Sequence, residues 1–93
     1  MFNKGDRKQK FIGFILNIKK SAALKEKLKA LRERRDLEEQ LCEMLESAGM
    51  KNMAELSAKK CNEVYREELV TELEILELEK AMTEFMLEMA MTD

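Results

Sequence analysis

The sequence predicts an all-α fold. The expected form is an antiparallel helical hairpin, coiled-coil-like, with a short N-terminal third helix and completion by self-association. Three observations carry this. The 93 residues include no Pro, no Trp and only 5% aromatics, while 39% are charged. That composition, rich in Glu, Lys, Leu, Ala and Arg, belongs to long helices and coiled coils. A single turn signal, Gly49-Met50-Lys51-Asn52, divides two arms of nearly equal length, and so short a turn makes neighbouring antiparallel helices. The charge is also split. Residues 1–35 hold twelve Lys/Arg against three acids, a net of +9; residues 36–93 hold five bases against sixteen acids, a net of −11.

The elements follow in order within one all-helical domain, residues 1–93. Residues 1–6 are expected to be flexible, with Asp6 as N-cap and Gln9 closing a capping box. Residues 7–20 form a basic and apolar helix. Phe11 to Ile18 is too short to span a bilayer, which takes about 20 apolar residues. The first arm is not expected to stay straight, and a break near Lys20-Ser21, with Ser21 capping a new helix, is expected. Leu24, Leu28 and Leu31 share one face, whereas Leu37, Leu41, Met44, Leu45 and Ala48 lie on a face rotated by roughly 100°. Residues 21–48 form the second helix. Gly49 then serves as the left-handed C′ residue of a Schellman ending, with Met50 at C″ and Leu45 at C3. Asn52 and Glu55 supply a second capping box, and residues 53–91 form an acidic helix.

That last helix carries two apolar stripes. Ile75, Leu78, Met82, Phe85 and Met89 keep the 3-4 spacing of a coiled-coil seam. Leu69, Leu73, Leu76 and Leu87 occupy the opposite face. A helix apolar on opposite faces needs cover on both, which is why a third helix, or a second copy in a homo-oligomer with a dimer favoured, is expected. The candidate apolar interface comprises Phe11, Phe14, Ile15, Ile18, Ile75, Leu78, Met82, Phe85, Met86 and Met89, whose methionines adapt to varied partners.

The charge split admits two uses. Folding the chain at residues 50–51 puts facing positions at a sum near 101. Lys25 and Lys27 then lie opposite Glu77 and Glu74, Lys29 opposite Glu72, and Arg34 opposite Glu67 and Glu68. Lys19 and Lys20 approach Glu79 and Glu84. Leu28 meets Leu73, Leu31 meets Leu69 or Val70, and Leu45 meets Leu56. Flanking charges of this kind set orientation and register. The other use is external. Lys25, Lys27, Lys29, Arg32, Arg34 and Arg35 are the candidate nucleic-acid contacts, since lysines and arginines neutralise phosphates. Against that reading, leucines interrupt the basic stretch and no aromatic platform for bases is interleaved.

Catalysis is not expected. The chain has no His, and it shows no Gly-rich phosphate loop and no nucleophile elbow. No cofactor or metal is expected: Cys42 and Cys61 are too few ligands for a zinc site. Two cysteines also make no disulfide framework, so a cytoplasmic location is expected, with a membrane partner disfavoured. The function expected is that of a non-enzymatic, protein-binding regulator or inhibitor that occupies a partner's surface. A nucleic-acid-processing complex is one such target, as for small inhibitors of phages and mobile elements. The acidic arm, Glu67, Glu68, Glu72, Glu74, Glu77, Glu79 and Glu84, would carry the contact. The alternatives are a nucleic-acid-binding regulator and an assembly protein acting through oligomerisation.

Overall fold

A computed structural model describes residues 4–91. Two helices account for nearly all of them: α1, Lys4–Ser47, and α2, Lys51–Met91. No strand occurs among the described residues.

The turn between the helices forms as its sequence dictates. Gly49 takes φ 75°, a conformation that costs any residue with a Cβ. Its amide donates to the Glu46 carbonyl at 3.0 Å, and the Met50 amide donates to the Leu45 carbonyl at 2.9 Å. These are the two bonds of a Schellman ending. The next helix starts two residues earlier than its capping box implies. The Ala54 amide donates to the Met50 carbonyl at 2.9 Å, so Met50 holds the N-cap place and Asn52 lies inside the first turn.

The short third helix does not form. α1 runs unbroken through Lys20 and Ser21, because neither Pro nor a strained Gly interrupts it. Ser21 is buried, at 3% exposure, rather than capping a new helix. The start differs too. Residues 4–6, expected to be loose, are helical, so Asp6 lies in the first turn, where a carboxylate meets the positive end of the helix dipole. Residues 1–3 lie outside the described residues.

One heptad pattern explains the burial along both helices. In α1 the less exposed residues are Phe14, Asn17, Ser21, Leu24, Leu28, Leu31, Arg35, Glu38, Cys42 and Leu45, a strict 3-4 alternation broken only by the addition of Gly13. In α2 the matching series is Ala54, Ser57, Cys61, Val64, Glu68, Thr71, Ile75, Leu78, Met82 and Phe85, with Ala58, Glu72, Glu79 and Glu88 half-buried beside it. These are a and d positions of antiparallel coiled-coil packing. The first residue of each series is an a position. Residues at e and g flank the seam, and b, c and f point away from it.

Contacts divide the chain into two packed units. The turn-proximal unit is residues 26–72. Its buried apolar residues are Leu28, Leu31, Ala54 and Val64, but Ser57, Glu68 and Thr71 are buried beside them. Ser57 Oγ donates across the hairpin to the Glu38 carbonyl at 3.3 Å, and Cys42 Sγ to the Ala54 carbonyl at 3.5 Å. Thr71 Oγ1 donates to the Glu67 carbonyl at 2.7 Å within its own helix. Small and hydrogen-bonded side chains therefore let the two backbones pair where large apolar ones are absent.

The other unit combines residues 1–25 with 73–93. Ile75 is its buried aliphatic residue. Phe85 stacks on Phe14 with ring centroids 4.6 Å apart and meets Phe11 at 6.4 Å. These offset and tilted pairs add about 0.5–1.5 kcal/mol beyond the area they bury.

Candidate interaction surfaces

The seam assigns each charged residue a place, and some expected pairs change. In the turn-proximal unit, Glu68 holds an a position and is 2% exposed. Arg35, also at a, reaches its Oε1 with Nη1 at 3.2 Å, and Arg32 Nε lies 3.8 Å from the same oxygen. Arg32 Nη2 donates to Glu72 at 2.9 Å. Arg35 also lies over the Tyr65 ring, 5.7 Å from its centroid, and 3.9 Å from Glu39 one turn on. Glu68 Oε2, Glu38 Oε2 and Arg35 Nε are buried without a hydrogen-bond partner. In the other unit, Lys25 pairs with Glu79 at 3.2 Å and Lys10 with Glu88 at 2.8 Å.

The halves of the chain thus do compensate each other, but on different partners from those expected. Lys25 meets Glu79 rather than Glu77, and Arg32 rather than Lys29 meets Glu72. The reason is rotation about the helix axis. Arg32, Lys25, Glu72 and Glu79 are e residues and flank the seam, whereas Lys29 is a b residue and points away. Lys27, Lys29 and Arg34 are exposed and make no ion pair among the described residues; neither do Glu67, Glu74, Glu77 and Glu84. Four of the seven acidic-arm candidates, and three of the six basic ones, are therefore left without an ion pair among the described residues. Lys19 and Lys20 are likewise not paired with Glu79 and Glu84.

The same rotation corrects the apolar assignments. Phe14, Ile75, Leu78, Met82 and Phe85 lie in the seam, while Phe11, Ile15, Ile18, Met86 and Met89 are exposed. Leu56, Leu69, Val70 and Leu73, expected to meet leucines of the first arm, are exposed. Leu37, Leu41 and Met44 are exposed as well; of that face only Leu45 turns inward.

Two shallow grooves sit beside the seam in the unit containing residues 73–93. One, of about 470 Å³, has Ala23, Leu24 and Leu78 as its apolar floor, with Glu74, Glu77 and Lys20 on its rim. The second, of about 260 Å³, places Glu84 and Glu88 beside Phe14, Phe85 and Gly13. Both therefore combine apolar lining with carboxylates. Cys42 and Cys61 line a third groove, in the turn-proximal unit. Burial, with Glu46 beside Cys42 and Glu39 near Cys61, pushes both thiols above their ordinary range.

Sequence reasoning missed the polar section of the seam. Its signal was present: stepping back from Ile75 by 4 and 3 gives Thr71, Glu68, Val64, Cys61, Ser57 and Ala54. Among the described residues, no cluster of three or more metal-ligating side chains occurs, and no helix is long and apolar enough to cross a membrane. The chain matches no protein-family model, no curated protein and no solved structure. Function must therefore be argued from these surfaces.

Proposed function

We propose that the protein is a non-enzymatic helical regulator or inhibitor that acts by occupying a partner's surface. The observation that supports it best is the groove lined by Ala23, Leu24 and Leu78 and rimmed by Glu74 and Glu77. An apolar floor with a carboxylate rim suits a basic, amphipathic segment. Uncompensated carboxylates also resemble a phosphate backbone in charge, so a nucleic-acid-binding protein is the partner class that fits. This is the strategy of small inhibitors of nucleic-acid-processing complexes such as phages and mobile elements produce. We assign it to the cytoplasm, where a reducing pool keeps partly exposed thiols such as those of Cys42 and Cys61 free.

The test is affinity capture with the full chain and with a Glu74→Lys, Glu77→Lys, Glu84→Lys variant. A protein retained by the first, lost by the second and displaced by added nucleic acid supports the reading. Recovery of the chain alone, or of the same proteins by both baits, removes it.

A second reading has one observation in its favour. Lys27, Lys29 and Arg34 remain free for phosphates, although Lys25, Arg32 and Arg35 are held by carboxylates. Fluorescence anisotropy with labelled DNA and RNA at low salt tests it. Binding through three cations would fall with salt at a log–log slope of about −2 to −3. No binding at low salt would exclude it.

A further inference from the structure

We infer that the turn-proximal unit carries a self-complementary face that a second copy of this chain covers. The two flanks of its seam differ in kind. On the e flank, Arg32 is satisfied internally by Glu68 and Glu72. On the g flank, Arg34 of α1 and Glu67 of α2 are exposed, and neither has an ion-pair partner among the described residues.

Closer to the turn on that same flank, large apolar side chains surround a single cation, Lys60. Leu41, Leu45, Met53 and Leu56 line one groove with Lys60 and Glu38. Leu41 is 46% exposed, Met44 68%, Met53 51% and Leu56 59%. Such large side chains clustered on one flank are the signature of an interface rather than of scattered surface residues.

Charge chooses the occupant. The g flank carries Arg34 on α1 and Glu67 on α2, both uncompensated. A two-fold rotation about an axis along the helices lays α1 of one copy on α2 of the other at matching levels. Arg34 then meets Glu67 of the second copy, and Glu67 meets its Arg34. Closer to the turn, Met44 of each copy meets Leu56 of the other, with Leu41 and Met53 beside that contact. A two-fold interface must be self-complementary in this way, and the result is a four-helix arrangement in which flanking charges fix orientation. The contact uses neither Glu74, Glu77 nor Glu84, so it goes beyond the partner-binding reading and can stand if that fails.

The experiment is sedimentation equilibrium of the full chain at tens of micromolar, with circular dichroism confirming that each variant stays helical. The wild type should weigh twice the 10.9 kDa of one chain. Met44→Glu and Leu56→Glu should each return it to monomer. Arg34→Glu and Glu67→Arg should each weaken association by about tenfold or more, since both symmetric pairs become repulsive. Mixing those two single variants should restore a dimer. The carboxylate introduced at position 34 of one chain then faces the guanidinium introduced at position 67 of the other, while the remaining pair is native. A monomeric wild type, a dimer indifferent to Leu56→Glu, or a mixture that fails to reassociate would each overturn the inference.

Discussion

Arg35 and Glu68 offer the sharpest test of the seam. Arg35→Met removes the guanidinium at 3.2 Å from a carboxylate that is 2% exposed. Leaving one member of a buried ion pair uncompensated costs about 3–5 kcal/mol. Arg32, still 3.8 Å away, offsets part of that, so about 2–3 kcal/mol is expected. In a chain of this length each kcal/mol moves Tm by about 4–8 °C, which makes the drop roughly 10–20 °C. Glu68→Leu should cost much less. It leaves behind an arginine that is partly exposed and can carry its charge out to water along an apolar stem. The double variant Arg35→Met, Glu68→Leu should equal or exceed wild type, because well-packed apolar replacements of buried pairs are often neutral or stabilising by about 1–4 kcal/mol. Urea unfolding followed by circular dichroism, at one fixed protein concentration, reads all three. A Glu68→Leu loss as large as that of Arg35→Met, or a double variant less stable than either single one, would refute the reasoning.

Other outcomes follow from the backbone, the ring cluster and the thiols. Gly13→Ala should stabilise by about 0.4–1 kcal/mol, since an added Cβ meets nothing within 4 Å and Ala restricts the unfolded chain. Gly49→Ala should destabilise by about 1–2 kcal/mol, because the open space around Gly49 does not relieve its left-handed φ of 75°; the same urea unfolding would contradict this if both changes had one sign. Phe85→Ala removes a ring from both Phe14 and Phe11. For a partly exposed Phe the cost should be about 2 kcal/mol, below the roughly 3–5 of a fully buried one, and a neutral result in urea would show that the ring stack is dispensable. The raised thiols of Cys42 and Cys61 should be alkylated more slowly at pH 8 in the native protein than in urea, because the thiolate is the nucleophile. Native thiols bind protons more tightly than unfolded ones, so this stabilisation is complete below the unfolded thiol pKa. It is lost as pH rises through the higher native one, and equal alkylation rates in the two states would contradict the shift.

The fold class and the turn were legible because they depend on local chemistry. The Gly49 ending needs only a residue without a Cβ next to a helix terminus. The absence of Pro and the Glu/Leu/Lys composition suffice for long helices. The third helix was expected because the second arm is apolar on opposite faces, which one neighbour cannot cover, and because the apolar faces of the first arm, Leu24-Leu28-Leu31 and Leu37-Leu41-Met44-Ala48, do not align. In the structure α1 keeps one continuous pattern and the second face is left outside. Hydrophobicity alone could not foresee that, because the inward places at residues 35, 38 and 42 go to Arg, Glu and Cys.

The candidate site divides along the same line. That opposite charges in the two arms would pair followed from the charge split and the fold point. Which carboxylates they would use depended on rotation about the helix axis, since a shift of roughly 100° moves a residue from seam flank to outer face. Lys29 and Glu77 therefore became surface groups, while Arg32 and Glu72 became partners.

By itself the sequence determined that this chain is helical, where it turns, and that its arms attract. Composition, a left-handed glycine and net charge act locally or at long range, and none needs a partner surface to be specified. Only the tertiary structure decided which stripe of each helix is inside, because that depends on two backbones approaching closely enough for side chains to interlock. Small and polar residues at Ala54, Ser57, Cys61 and Thr71 permit that approach, and buried Glu68 is offset by two arginines. The larger apolar side chains, Leu37, Leu41, Met44 and Leu56, were left on the surface, where the proposed contact with a second copy would cover all but Leu37.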